Sequence, residues 1–235
     1  MIRLDKYLAD AGLASRRELK ALLKTGAARI NGETVTDGAV KLDPARDQVT
    51  FQGKPVAGSR RLVLLLHKPA GYVTSTEDPR DRTVMELIPE EYRRQGAVPV
   101  GRLDKETEGL LLLSNDGELT HRLISPKYEV EKRYYARHGG TAGEADIAAF
   151  AAGLTLRDGT VCKPALLRPL GPGESEITVT EGKYHQVRRM MAARGLPVSY
   201  LRRDSEGSLS LGDLPAGKCR ELTEEEIEGL AARPL

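Results

Sequence analysis

Tryptophan is absent from this 235-residue chain, and phenylalanine and cysteine each occur only twice. The cysteines, Cys162 and Cys219, are far apart and have no CxxC spacing, which argues against a disulfide framework and against sulfur-ligated zinc. No stretch reaches the roughly 18 consecutive apolar residues of a membrane span. The start, Met1-Ile2-Arg3-Leu4-Asp5, lacks the apolar region of a secretion signal, so a soluble, cytoplasmic protein is expected. A phosphate-cradling Walker pattern is missing, as is any His/Cys cluster with metal-ligand spacing, so the sequence implies no metal and no cofactor. Internal repeats and low-complexity segments are also absent.

What is present is an uneven charge distribution on a chain that is 40% apolar and long enough for one ordinary domain and a small one. Residues 1–60 hold 11 Lys and Arg against 7 Asp and Glu, leaving 25 basic and 27 acidic residues beyond them. A basic small domain beside a near-neutral larger one points to polyanion capture by the first and chemistry by the second. A solvated helix face accounts for the same charge without any partner.

The local signals are clear. Leu4, Tyr7, Leu8 and Ala11 recur at helical spacing up to Gly12, and Ser15-Arg16-Arg17-Glu18 reads as a capping box opening a second helix with Leu19, Leu22 and Leu23 buried. Asn31-Gly32 between two β-prone triplets predicts a type I′ hairpin, because both residues tolerate positive φ. Ala57-Gly58-Ser59-Arg60 reads as a linker. Beyond it, Leu62 to Leu66 and Leu110 to Leu113 are continuous apolar runs suited to strands buried on both faces. Helices are predicted over 119–124, 142–152, 183–194 and from Thr223, and a strand over 177–180. The mixture lacks regular βαβ alternation, so an α+β fold is expected.

Gly101-Arg102-Leu103-Asp104-Lys105-Glu106-Thr107-Glu108-Gly109 sets a carboxylate in a glycine-bounded polar turn just before an apolar strand. Asp104 there can act as nucleophile or general base. From the pattern alone, an Asx turn at the surface explains it as well.

The segment closely resembles the signature loop of the pseudouridine synthases that modify ribosomal RNA and carry an N-terminal S4 RNA-binding domain. Three further segments match the same family in its order: Lys68-Pro69-Ala70-Gly71-Tyr72, the strand around Lys132-Arg133-Tyr134, and Glu181-Gly182-Lys183-Tyr184-His185-Gln186-Val187-Arg188-Arg189-Met190. The resemblance implies an S4 domain of the α-L type with its linker over 1–60, then a catalytic domain with a mainly antiparallel sheet over 61–235. It implies a cofactor-free isomerisation with Asp104 as the catalytic residue, Arg188 pairing with it to keep it ionised, and Tyr134 packing on the extruded base. Tyr135 follows directly, and only one of two adjacent strand residues can face the pocket. As ordinary side chains, Arg188 is a solvated helix residue and the tyrosines are half-buried sheet aromatics.

RNA contacts are expected from Arg3, Lys6, Arg16, Arg17, Lys20, Lys24 and Arg29 in the first domain, and from Arg102, Lys183, His185, Gln186 and Arg189 near the site. The partner implied is ribosomal RNA, with Thr74-Ser75-Thr76-Glu77-Asp78-Pro79 and the single S4 unit favouring 16S RNA in a small-subunit assembly intermediate. Action on 23S RNA, or an inactive RNA-binding fold, are the alternatives. A monomer without membrane contact is expected. Two positions depart from the family: Glu206, where an apolar residue is usual before Gly207, and Met191, where Phe is common.

Overall fold

Leu4, Tyr7 and Leu8 line the inner face of a short helix, Leu4–Asp10, and pack against Leu19 and Leu23 of a second helix, Arg16–Lys24. The second helix opens as expected. The Ser15 amide donates to the Glu18 carboxylate at 2.9 Å, and the Ser15 hydroxyl accepts from the Glu18 amide at 3.3 Å. Such a cap contributes about 1 kcal/mol. Both helices cover a four-stranded antiparallel sheet in the order Glu33–Val35, Ala28–Ile30, Val49–Phe51, Lys54–Val56. Asn31 and Gly32 have φ of 52° and 87°, the left-handed pair a type I′ turn requires.

The computed structural model describes residues 1–44, 46–56 and 61–231. These fall into two compact units, residues 1–62 with 89–97, and residues 63–88 with 98–235. The expected linker, 57–60, lies outside the described residues.

The second unit is built on one large sheet. Its path runs Leu166–Gly171, Glu174–Val179, Lys132–His138, Val198–Glu206, Glu108–Ser114, Val63–Lys68, Cys219–Glu221. Every pairing on this path is antiparallel except that of Val198–Glu206 with Glu108–Ser114. The apolar runs are buried on both faces: Leu62 to Leu66 and Leu110 to Leu113 are all nearly inaccessible. On one face Val63, Leu65, Leu110 and Leu112 pack with Leu119 and Leu123 of the helix Gly117–Ile124 and with Ile227 and Leu230 of the helix Glu224–Ala231. The fold is therefore α+β with a mainly antiparallel sheet.

One helix begins later than its pattern predicts. The segment expected as helix from 183 is a turn until Gln186, because His185 adopts the left-handed conformation at φ 47° and ψ 34°. Met191, at a position where Phe is common, is fully buried. No helix among the described residues is long and apolar enough to cross a membrane.

Candidate active site

The loop carrying Asp104 is held at both ends. It leaves the strand Val98–Val100 through Gly101 and enters Glu108–Ser114, with the Thr107 amide donating to the Asp104 carbonyl at 3.0 Å. The buried Thr74 hydroxyl donates to the Leu103 carbonyl at 2.8 Å and accepts from the Leu103 amide at 3.1 Å. Gly109 has φ 106°, and a Cβ there would lie 2.2 Å from the Arg203 carbonyl oxygen. Only glycine lets Val198–Glu206 run alongside the loop at this point.

Asp104 opens onto a cavity of about 530 Å³ lined also by Thr74, Arg102, Tyr134, Lys183, Tyr184, His185 and Leu201. Its side chain is 35% exposed, and His185 Nε2 lies 3.5 Å from Oδ1. Tyr134 is buried against the cavity floor. Tyr135 faces the other side of the sheet, edge-on to Tyr200 and beneath Arg202.

The expected Asp104–Arg188 ion pair is absent. Arg188 donates instead to two main-chain oxygens, Glu106 at 3.1 Å and Val198 at 3.2 Å. It thus reaches the Asp104 loop through the backbone and ties it to the start of the neighbouring strand. The physical reason is that folding brings these two main-chain acceptors within reach of the guanidinium, and they take up its donors.

Other expected contacts are also redistributed. Gln186 lines the cavity but is buried, its amide nitrogen donating to Glu181 at 2.8 Å and its amide oxygen accepting from the Lys183 main chain at 2.9 Å. It shapes the turn in place of presenting itself to RNA. Lys183 pairs with Glu181 at 2.7 Å, and Arg189 pairs with Asp158 while donating to the Tyr184 carbonyl at 3.2 Å.

Three residues outside the expected site set, Lys68, Arg203 and Glu206, are buried beside it. Lys68 has no exposed surface, and its ammonium donates to the carbonyls of Pro69 and Lys105 at 3.1 Å and of Thr107 at 2.8 Å. Three N–H groups meet three acceptors, two of them on the Asp104 loop. Its sequence signals were its place at the end of an apolar strand and in the matching segment Lys68-Pro69-Ala70-Gly71-Tyr72. Burial pulls its pKa down to about 8, against the opposing charges of Glu106, Asp104 and Glu108.

Turnover is expected to decline as pH rises through about 8, because neutral Lys68 lacks a donor for one carbonyl and the loop loosens. Melting temperature should not fall with it through this group. Between pH 8 and 10.5 the unfolded chain holds the Lys68 proton that the folded chain has lost, so the linked contribution to stability rises with pH. A rate profile flat to pH 9.5 would contradict this assignment.

The other two are Arg203 and Glu206, each 2% exposed, with Arg203 Nη2 3.0 Å from Glu206 Oε2. Arg203 Nε donates to the Leu110 carbonyl at 2.8 Å, and Lys132 Nζ lies 3.9 Å from Glu206 Oε1. Burial lowers the Arg203 pKa, but Glu206 and Tyr134 outweigh it, so the net shift is upward. Burial pushes the Tyr134 hydroxyl upward, with Arg203 acting against it. Glu206 therefore supplies the counter-charge for a buried arginine that stands opposite the cavity tyrosine on the adjacent strand.

In the first unit, Arg3, Asp5, Arg16, Lys20, Lys24 and Gly38 line a groove of about 520 Å³. Arg3 and Arg16 both pair with Asp5, at 2.8 and 2.9 Å, and these partners, Arg3 foremost, hold its pKa down to about 2. Lys6 pairs with Asp10. Arg17 and Arg29 lie outside the groove and make no ion pair among the described residues.

Comparison with known proteins accords with this geometry. Residues 62–193 match the RNA pseudouridylate synthase family, and residues 2–49 match the S4 domain. The chain is 44% identical over 231 residues to an uncharacterized RNA pseudouridine synthase of Bacillus subtilis (strain 168), covering 96% of this chain and 97% of that protein. Ribosomal small subunit pseudouridine synthase A of Yersinia pestis is 39% identical over the whole of both chains. Ribosomal large subunit pseudouridine synthase B of Bacillus subtilis is 37% identical, covering 99% of this chain and 96% of the other. A crystal structure of a pseudouridylate synthase superposes with a TM-score of 0.69 at 35% identity, covering 98% of this chain and all of that one. A loop carboxylate facing a tyrosine-floored cavity, in a chain that also carries a basic N-terminal domain, is thus joined to full-length likeness: the chain belongs to the RNA pseudouridylate synthase family and is an S4-domain pseudouridine synthase.

Proposed function

We propose that the protein converts a specific uridine of 16S ribosomal RNA to pseudouridine. In that reaction the bond between ribose C1′ and uracil N1 breaks, the base turns, and C1′ bonds to C5, whose hydrogen leaves as N1 gains one. The observation that carries the reading is the Asp104 carboxylate, backbone-anchored and open to a cavity large enough for a nucleoside. Asp104 is the group that meets the ribose or base, Tyr134 packs on the uracil, and Arg188 with Lys68 holds the loop in place. A uridine in folded RNA must leave its stack first, costing a few kcal/mol that contacts by basic groups such as Arg102 offset.

The first unit captures the RNA. Arg16 and Arg3 are held by Asp5, so Lys24 and Arg17, without such partners, are the stronger candidates for phosphate contacts. Replacing either by Ala should weaken binding across RNA sequences and reduce the salt slope by about one unit. An unchanged slope removes that residue from the interface.

The likeness to the small-subunit enzyme over the full chain supports the 16S assignment, while the large-subunit relative keeps a 23S target as the competing result. Incubating the protein with 16S and 23S transcripts, bare and assembled with ribosomal proteins, and mapping pseudouridine decides between them. A site formed in 23S RNA alone overturns the 16S assignment.

A further inference from the structure

Tyr184 is 75% exposed, although an aromatic ring gains by burial, and it stands at the rim of the cavity that holds Asp104. One face of its ring stacks on His185, with centroids 4.0 Å apart and the planes 15° from parallel. His185 in turn lies 3.5 Å from Asp104 through Nε2. The turn carrying the pair is stiff. His185 is in the left-handed region at φ 47°, an uncommon conformation for a non-glycine residue and a mark of functional sites where surroundings enforce it. The enforcing contacts are the doubly bonded Gln186 amide and the Arg189 guanidinium on the Tyr184 carbonyl. A rigid aromatic pair with one face covered and the other open therefore projects beside the catalytic loop.

Resting on the reading above, we propose that the open face of Tyr184 is a stacking platform for the nucleobase next to the target uridine. The target itself occupies the cavity over Tyr134, so a rim ring meets the neighbouring nucleotide. Once the uridine leaves the helical stack, that neighbour has lost one stacking partner, and Tyr184 replaces it. Every base offers a π face, so this platform holds the strand without reading its sequence. His185 backs the ring and links the stacked strand to Asp104.

The test uses the full chain with Tyr184→Phe, Tyr184→Leu and Tyr184→Ala. Tyr184→Phe should behave as the parent, since the ring is kept. Tyr184→Leu keeps apolar bulk without a π system, and both it and Tyr184→Ala should raise KM about tenfold with kcat at saturation unchanged. Near-parental melting temperatures are expected for an exposed residue. A kcat loss at unchanged KM, or a parental KM in Tyr184→Leu, overturns the inference.

A binding readout separates this from the functional reading. A single-stranded oligoribonucleotide with 2-aminopurine alternating with uridine reports stacking by fluorescence quenching whether or not it is turned over. Quenching by parent and Tyr184→Phe but not by Tyr184→Leu supports the platform, and equal quenching by all three refutes it. If the parent forms no pseudouridine in either ribosomal RNA, the functional reading fails, and the quenching still decides the inference.

Discussion

Asp104→Asn is expected to abolish isomerisation while leaving the fold and RNA affinity almost intact. The carboxylate is partly exposed and the only basic side chain within 4 Å of it among the described residues is His185 at 3.5 Å, so amide replacement removes little native-state energy. Substitutions of this kind change stability by about 0.5 kcal/mol or less. Asparagine keeps the shape and one acceptor oxygen but cannot attack a sugar carbon or accept a proton. General bases contribute about 10²–10⁴-fold and nucleophiles more, so a loss of at least about a hundredfold is expected. Release of the C5 hydrogen from RNA labelled there measures the turnover, and gel retardation measures affinity within a few fold of parent. Turnover within tenfold of parent would remove Asp104 from the chemistry. The loop anchors make the opposite division: replacing Lys68 disturbs a backbone that Asp104→Asn leaves alone.

Glu206→Ile, which places before Gly207 the apolar type that the family resemblance leads one to expect, should destabilise this particular protein. Arg203 is 2% exposed, and without Glu206 its guanidinium keeps only the Leu110 carbonyl and the neighbourhood of Tyr134. Breaking a buried pair from one side costs about 3–5 kcal/mol, because the remaining charge is left without compensation. At about 2–4 °C per kcal/mol for a chain of this size, the melting temperature should fall by roughly 6–20 °C. Replacing the whole pair behaves differently. Arg203→Met with Glu206→Ile removes both members of the buried pair and leaves Lys132 with the Val130 carbonyl at 2.8 Å, and such exchanges of a buried pair for apolar side chains are often neutral or stabilising. Thermal unfolding of the single and double variants tests this, and a double variant no more stable than Glu206→Ile would show that charge pairing is not what Glu206 supplies.

Much of the fold was legible because its signals are local. The Ser15–Glu18 box, the Asn31-Gly32 turn and the apolar runs through Leu64 and Leu112 each require only neighbouring residues, and each formed. The helix starting at Gln186 was misplaced by three residues because its turn is fixed by Glu181 and Arg189 side chains folding back on it. Periodicity does not record such bonds.

The sequence by itself determined the α+β class, the two RNA-related segments and the glycine-bounded loop that holds Asp104, since chain stiffness, burial period and turn chemistry act over a few residues. The tertiary structure alone decided where charges find partners. Arg188 turned to the Glu106 and Val198 carbonyls, Lys68 met three carbonyls from two segments, and Glu206 found Arg203 three residues before it on its own strand and Lys132 on the adjacent one. A long charged side chain is directed by the acceptors that folding brings within reach and by how much water remains around it. Both depend on residues tens of positions away in the chain.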